Sequence, residues 1–406
     1  MKTVPGGSDF GIMSSYPVND RKAENDEKIL KAAFRILINH GCAELSFSAV
    51  ASAVGISRRP LIDRFDDISD LKIKVWQNRV GPAFLAWLQD IFASFEIENI
   101  KKEPSLFEEI FRTALQPSME LQVALELLIE SQFDKKLQDV IQNDLSPHFS
   151  SWFETDRTQA GRNGYILMVL VGFLIASRTL EYEDRTDLSI ITKDIIERAL
   201  LNRDPIDLPP DTADYLTIPL EFDLEDKTLI ALLHATHEII GEVGYDHATV
   251  DTIVKRANSS QGALFARFPT KLELFIESTR QHSDLAMKRN WEFRMGLDKK
   301  YGPGIGACIF VREACRLDWA RLRATNIEQY RLTWYNALFR ENSNSITARF
   351  KKERQQLLAQ ATTHEDDIER NTNDYYAVAL GMGMVFLPLI YPKTSELAFD
   401  VMLLGD

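Results

Sequence analysis

The chain has 406 residues, of which 45% are hydrophobic, 26% charged and 10% aromatic. This length is typical of two to three domains, and the composition excludes disordered, collagen-like and low-complexity proteins. The formal charge of -13 excludes a protein that coats nucleic acid through bulk positive charge, so any contact with DNA has to be local.

The N-terminal segment and the cysteines bear on where the protein works. Residues 1–24 contain glycine, serine and proline but lack the continuous apolar core of a signal peptide, which predicts a disordered tail. Cys42, Cys308 and Cys315 are too few and too scattered for a disulfide framework or a structural zinc site. We therefore expect a protein of the reducing cytoplasm.

An internal repeat relates the beginning of the chain to the segment just past its middle. At a fixed offset of 203 residues, eight identities fall without a gap on apolar, glycine and helix-cap positions, which indicates a duplicated unit. The identical pairs are Leu30 and Leu233, Ala32 and Ala235, Gly41 and Gly244, Ser57 and Ser260, Leu61 and Leu264, Arg64 and Arg267, Phe65 and Phe268, and Leu71 and Leu274. Four prolines between residues 202 and 224 predict a stiff linker that joins the two copies.

The first copy predicts three helices. Apolar residues recur at helical spacing over residues 29–37, and Gly41 is expected to end that helix in a left-handed conformation. Ser46 is placed to cap a second, short helix, and Gly55 makes the turn that follows it. Ser57 is placed to cap the third helix, so the spacing is that of a helix-turn-helix.

The second copy repeats this pattern position by position. Gly244 ends the first helix, Thr249 caps the second and Ser260 caps the third. Asn258 stands where the first copy has Gly55, and asparagine is the non-glycine residue that best tolerates a left-handed turn. Both copies are therefore predicted to carry a helix-turn-helix.

The stretches GCAELSFSAVASAVGISRRPLIDRF and GYDHATVDTIVKRANSSQGALFARFPTKLELF resemble the DNA-binding domain of the tetracycline-repressor (TetR) family of bacterial transcription regulators. The second stretch is the closer match. The resemblance implies an all-α chain of two units in tandem, with helix-turn-helix domains at 25–71 and 225–274. It also implies helical effector-binding and dimerisation domains at 72–201 and 275–406.

In such a motif the third helix enters the major groove, where arginine can bind guanine and glutamine can bind adenine. Arg58 and Arg59 take these positions in the first copy, and Gln261 and Gly262 take them in the second, with glycine permitting close approach to the DNA. The full set of predicted DNA-contacting residues, by motif position and by resemblance, is Ser46, Ser57, Arg58, Arg59, Arg64, Thr249, Ser260, Gln261, Gly262, Phe265, Arg267 and Lys271.

Each copy departs from the family pattern in its own way. The usual tyrosine of the third helix is Ile62 in the first copy and Phe265 in the second, and the usual lysine after that helix is Ile68 in the first copy. Residues 21–80 carry eleven basic and eight acidic side chains, whereas residues 224–283 carry six basic and eight acidic side chains. One or both copies could therefore survive only as folded modules that no longer bind DNA.

The remainder of each copy is rich in aromatic residues, since residues 72–200 and 275–406 hold all six tryptophans. Ordinary core packing explains most of them, and an effector in such surroundings is expected to be apolar or amphipathic. An anionic effector would be held by Arg312, Arg316 or Arg321. The apolar stretches 165–176 and 375–391 are expected to be buried packing helices rather than membrane spans.

Signals for catalysis or metal binding are poor. The glycines between Gly302 and Gly306 lack the spacing of a phosphate-binding loop and predict a loop that begins a helix. His234 and His237 lack an HExxH continuation and are expected to be surface or half-buried histidines rather than metal ligands. We therefore expect no enzyme activity, no metal and no cofactor.

Two functions remain open. The first is a ligand-responsive regulator that binds double-stranded DNA in the bacterial cytoplasm and nucleoid. It would be a repressor by resemblance, and its two copies would act as a covalent pseudo-dimer on an asymmetric operator. The second is an adaptor that binds a ligand or a protein and keeps the fold without reading DNA. Pairing between chains stays open in both cases.

Overall fold

The computed structural model describes residues 18–96, 99, 105–180, 187–210, 221–358 and 367–404. Over these residues the chain is all-α, with short 3-10 and π turns between the α-helices and no strand. The predicted fold class is therefore confirmed. Most of the predicted tail, residues 1–17, and residues 211–220 of the predicted linker lie outside the described residues.

The first half of the chain begins with helix α1 at Val18, before the predicted start of the first unit at residue 25. A 3-10 turn, Cys42–Glu44, follows α1, and a π turn, Trp76–Val80, separates α4 from α5. The helices are α1 (Val18–His40), α2 (Phe47–Val54), α3 (Arg59–Ile62), α4 (Ile68–Val75), α5 (Gly81–Ser94), α6 (Ser105–Leu115), α7 (Met119–Glu130), α8 (Lys135–Phe153), α9 (Arg157–Thr179) and α10 (Leu188–Leu201).

The second half presents helices in a similar order. Gly304 begins α15 in a left-handed conformation, as expected for a loop that starts a helix. The helices are α11 (Lys227–Val243), α12 (Val250–Arg256), α13 (Gln261–Phe265), α14 (Lys271–Tyr301), α15 (Ile305–Ala314), α16 (Ala320–Tyr335), α17 (Ala337–Leu358), α18 (Asp367–Ile390) and α19 (Asp400–Leu403).

The two halves differ after their short third helices. In the second half a single helix, α14, runs on from a capping box made by Thr270 and Glu273. In the first half α4 gives way to the π turn, and Pro82 lies in the first turn of α5. Because proline has no N–H to donate, the π turn is the local adjustment that carries the chain past Pro82.

Helices α9 and α18 form the centre of the molecule. Both are long and apolar enough to cross a membrane by length and composition alone. However, 94% of the most apolar window of α9 and 56% of that of α18 are buried within the protein, where the two helices pack against each other. They are therefore core helices, as the sequence predicted.

Candidate nucleic-acid interface

The second helix-turn-helix comprises α11, α12 and α13, and we call residues 227–268 the second head. Thr249 Oγ1 accepts a hydrogen bond from the backbone N–H of Thr252 at 3.1 Å and caps α12. Asn258 makes the turn with a φ of 49°, and Ser260 Oγ accepts from Ala263 N at 3.1 Å to cap α13. The predicted caps and turn of this copy are confirmed.

The first helix-turn-helix comprises α1, α2 and α3, and we call residues 25–65 the first head. Ser46 caps α2 through the N–H of Ala49, and Gly55 makes the turn with a φ of 75°. The prediction that Ser57 caps the third helix is wrong, since α3 begins only at Arg59 and has no side-chain cap. The cause is Pro60, which occupies the position of Ala263 in the second head. Because proline has no backbone N–H, it cannot donate a hydrogen bond to the Ser57 hydroxyl.

The outward faces of the third helices carry the predicted base-reading side chains. Arg58 and Arg59 are exposed, and neither guanidinium has an ion-pair partner within the part of the chain that the structure describes. On the second head Gln261 and Gly262 are exposed, and the Gln261 amide donates to Asp251 on α12. The two faces therefore differ, since the first exposes two arginines and the second exposes a glutamine and a glycine.

An apolar residue accompanies each reading face. Ile62 is 55% exposed and Phe265, at the equivalent position, is 49% exposed. Gly262 has open space around it, because a Cβ there would meet only the Ser260 hydroxyl at 3.9 Å. These surfaces can contact the methyl group of thymine as well as hydrogen-bonding groups.

Two of the predicted DNA-contacting residues, Arg64 and Arg267, form part of the framework of the heads. Arg64 donates to Asp26 at 2.6 Å and to the carbonyl of Pro60 at 2.8 Å. Arg267 donates to Asp226 at 2.7 and 2.9 Å and to the carbonyl of Ala263 at 2.8 Å. Each arginine thus ties its third helix to the first helix of its own head, which fixes the angle of the reading face.

Lys271 is also engaged within the protein. Its ammonium group donates to the carbonyls of Tyr245 and Ala248 at 2.7 and 2.8 Å and lies 4.1 Å from the centre of the Tyr245 ring. Burial lowers the pKa of Lys271. The lysine therefore holds the loop between α11 and α12.

The acidic side chains below the first reading face are partly neutralised. Lys136 on α8 lies 2.7 Å from Asp67 and 3.6 Å from Asp70. The hydrogen bond from Lys136 lowers the pKa of Asp67. Four carboxylates follow the third helix in the sequence, and Asp67 and Asp70 among them have a cation beside them.

Each head is attached to the rest of the molecule at the second residue after its first helix. Gly41 and Gly244 end α1 and α11 with φ values of 77° and 79°. The backbone N–H of Cys42 then donates to Glu126 at 2.7 Å, and the N–H of Tyr245 donates to Glu328 at 2.7 Å. Two buried carboxylates therefore hold the two heads in the same way.

A single arginine connects these carboxylates. Arg331 on α16 is 4% exposed, donates to Glu328 at 2.8 and 2.9 Å and to Asp246 at 2.6 Å, and lies 3.4 Å from Glu126. Burial lowers the pKa of Arg331, but the carboxylates of Glu328 and Glu126 more than offset that effect and raise it well above its usual value. We call these four residues the central ion cluster.

Sequence reasoning missed the central ion cluster. Glu126 stands inside the apolar run of α7, where it is 1% exposed, and Glu328 is equally buried in α16. Burial raises the pKa of Glu126, and the charge of Arg331 opposes that rise. The sequence contains one signal for the cluster, the acidic residue Glu126 within an apolar helix. A buried carboxylate needs a partner that compensates its charge, so such a residue indicates a buried cation nearby.

The contacts across the junction are reciprocal. Gly41 of the first head lies against the ring of Tyr335 from the second half, and Gly244 of the second head lies against the ring of Phe133 from the first half. In each case a Cβ on the glycine would come within 3.0 Å of the ring. Each head therefore rests on an aromatic residue of the opposite half.

Helices α9 and α18 repeat this reciprocity. A Cβ on Gly172 would overlap the carbonyl of Ala379, and a Cβ on Gly383 would overlap the carbonyl of Met168. Tyr165 and Tyr376 share a hydrogen bond of 2.5 Å between their hydroxyl groups. In a two-fold interface each contact occurs twice, with the roles of the two partners exchanged. The paired contacts between these helices follow that rule.

A cavity of about 340 Å³ lies in the second half, between α14, α16, α17 and α18. The arginines predicted to hold an anionic effector, Arg312, Arg316 and Arg321, do not line this cavity. Arg312 and Arg316 pair with Glu313, and Arg321 pairs with Glu242 at 2.9 Å. The cavity is instead lined by Arg289, Arg294 and Arg323.

The histidines form a ring cluster at one side of this cavity. His237 and His282 stack with their ring centres 4.1 Å apart, and His234 stacks on Phe222 at 4.5 Å. Burial lowers the pKa of His282 to about 4 and lowers that of His237 well below its usual value. Among the described residues no group of three or more histidine, cysteine, aspartate or glutamate side chains could hold a metal ion.

Comparison with protein families matches part of the second half of the chain. Residues 232–277 match the family described as bacterial regulatory proteins, tetR family. This segment contains most of the second head and the beginning of α14, so the match supports membership of the TetR family and a DNA-binding helix-turn-helix. Regulators of this family are generally not enzymes. A search of curated proteins finds no match.

Proposed function

We propose that the protein is a ligand-responsive DNA-binding transcription regulator whose two halves act as a covalent pseudo-dimer on an asymmetric operator. The reciprocal attachment of the two heads carries this proposal. Glu126 and Glu328 hold equivalent backbone N–H groups, and Arg331 lies between them. One chain therefore presents two reading faces in a fixed relation, which in ordinary dimers requires two chains.

The two faces are expected to read unlike half-sites. Arg58 and Arg59 favour guanine in the first half-site, while Gln261 favours adenine and Gly262 and Phe265 allow contact with thymine in the second. Ser46, Thr249, Ser57 and Ser260 are proposed to position the heads on phosphate. Arg64, Arg267 and Lys271 contribute mainly by holding the third helices and the loop before α12.

The cavity supplies the means of ligand response. Gln329 and Tyr330 line it, and their neighbours Glu328 and Arg331 hold the heads. A ligand that binds more tightly to one position of α16 changes the distance or angle between the two heads. The change in DNA affinity cannot exceed the difference between the ligand's affinities for the two positions. By resemblance to the family we take the role to be repression in a bacterial cytoplasm.

In vitro selection of random duplex DNA by the purified full chain at about 0.15 M salt tests this proposal, since affinity depends on salt. We expect a site with two dissimilar halves about 34 Å apart or a multiple of that distance. The double substitution Arg58→Ala, Arg59→Ala should remove preference in one half only, and Gln261→Ala in the other.

A palindromic site would contradict the pseudo-dimer and indicate pairing between chains. A failure to enrich any sequence would contradict DNA reading as such. It would favour the adaptor function, in which the exposed Ile62 and Phe265 would serve a protein contact.

A further inference from the structure

The lining of the cavity in the second half is apolar and positively charged. Trp291, Phe310, Trp319, Tyr330 and Phe350 form aromatic walls. Three arginines reach the same space, and no aspartate or glutamate lies among the described residues that line it. In a chain with 60 acidic and 47 basic residues, a buried surface with only positive charges is unexpected.

Arg294 is the least compensated of these arginines. Its guanidinium group lies 5.3 Å from the centre of the Trp291 ring and 6.0 Å from that of Phe310, and its Nε is buried without a hydrogen-bond partner in the described part of the chain. Asp298, on the same helix, uses its Oδ1 to accept the N–H of Gly306 at 2.7 Å. Burial lowers the pKa of Arg294, and Asp298 opposes that shift.

Two further polar groups of the cavity wall are buried without full compensation of their charge or hydrogen-bonding capacity. Arg323 is 6% exposed and donates to the carbonyls of Ala314 and Arg316, but it forms no ion pair with any described carboxylate. The Oδ1 atom of Asn290 is buried in the cavity wall and has no hydrogen-bond partner among the described residues. Buried charges and polar atoms of this kind are costly unless a partner arrives.

Among the described residues of the first half, the corresponding stretch of helix is apolar. There α5 buries Phe84, Trp87, Leu88 and Ile91, which fill the core. In the second half the corresponding stretch of α14 carries Asn290 and Arg294 among its cavity-facing residues. The polar and charged groups are therefore a feature of this one site rather than of the helix packing that both halves share.

We propose that the cavity binds an amphipathic organic anion, whose acidic group pairs with Arg294 and whose apolar part lies against the aromatic walls. Its volume of about 340 Å³ lies within the range of roughly 300–1,000 Å³ that small-molecule sites occupy. Arg323 bounds the same space and adds to the positive potential. This inference names the effector class for the ligand response proposed above and rests on that function for its biological role, but not for the binding itself.

Calorimetric titration of the full chain with ligands that share one tail and differ in head group tests the charge requirement. The probes are decanoate, decan-1-ol and decylammonium, with hexanoate and tetradecanoate to vary the tail. We expect decanoate to bind at least about tenfold more tightly than the alcohol or the ammonium, as a charge-assisted hydrogen bond provides. Its binding should also change the fluorescence of Trp291 and Trp319.

Substitution locates the acidic group. Arg294→Gln should remove the preference for decanoate over decan-1-ol, while Arg280→Gln, on the same helix but outside the cavity lining, should leave that preference unchanged. Circular dichroism verifies that both variants fold. If Arg294→Gln does not fold, the head-group series on the unsubstituted chain still tests whether the cavity requires an anion.

Equal binding of the alcohol or the ammonium, or no binding of any of the three carboxylates, would overturn the inference. DNA selection with the same preparation separates this failure from that of the proposed function. A chain that selects DNA but ignores carboxylates refutes the effector class alone. A chain that binds decanoate but selects no DNA refutes the regulator and leaves the anion site standing.

Discussion

Replacing Arg331 with methionine tests whether the central ion cluster holds the molecule together. The substitution preserves most of the side-chain length but leaves Glu126 and Glu328, each 1% exposed, without their shared cation. Breaking a buried ion pair by removing one partner costs about 3–5 kcal/mol. We expect urea unfolding of Arg331→Met, followed by circular dichroism, to show a loss of this size at neutral pH.

The loss should depend on pH in a defined direction. Burial already raises the pKa of Glu126, and removal of Arg331 raises it further. A carboxyl group with a raised pKa in the folded state destabilises the protein above its unfolded pKa, because the unfolded chain then binds fewer protons. The difference between Arg331→Met and the unsubstituted chain should therefore shrink as the pH falls towards 4.5, the ordinary value for Glu126.

Two controls sharpen this test. Lys28→Met removes an ion pair with Glu24 in which both side chains are more than half exposed, and it should cost less than about 0.5 kcal/mol. Adding Glu126→Gln and Glu328→Gln to Arg331→Met should recover most of the loss, because neutral amides keep the hydrogen bonds without the charge. A loss below about 1 kcal/mol that does not vary with pH would refute the assigned role of the cluster.

Three further outcomes are expected. Gly383→Ala should destabilise the chain strongly in urea unfolding, because the added Cβ would overlap the carbonyl of Met168. Gly381→Ala has open space at its Cβ and should be neutral or stabilising. Equal effects of the two substitutions would contradict the close crossing of α9 and α18. Pro60→Ala should let Ser57 cap α3, so that Ser57→Ala costs about 1 kcal/mol in that background and almost nothing without it. His282, with a pKa of about 4 when folded and an ordinary value of 6.5, should make unfolding easier by about 3 kcal/mol as the pH falls between these values, and His282→Gln should flatten that slope.

The sequence predicted the parts of the structure that depend on local chemistry. The left-handed turn at Asn258 and the caps of Thr249 and Ser260 follow from which residues tolerate that backbone conformation or accept orphan N–H groups. Ser57 does not cap the third helix because the residue three positions later is Pro60, which has no backbone N–H to donate to its hydroxyl.

Contacts between distant segments could not be predicted in the same way. Glu126 and Arg331 are separated by 205 residues, and nothing in the neighbourhood of either one identifies its partner. The three arginines that line the cavity, Arg289, Arg294 and Arg323, could not be identified from the sequence for the same reason. Arg312 and Arg316 stand near a buried helix in sequence, but both turn to Glu313, while Arg294 comes from another helix.

The mass of the protein bound to its selected duplex tests the central claim most directly. Light scattering on the purified complex at about 0.15 M salt gives the number of chains on each DNA site. A covalent pseudo-dimer predicts one chain of 46.4 kDa on a site with two dissimilar halves. Two chains on a palindromic site, with only one head of each contacting DNA, would contradict the account.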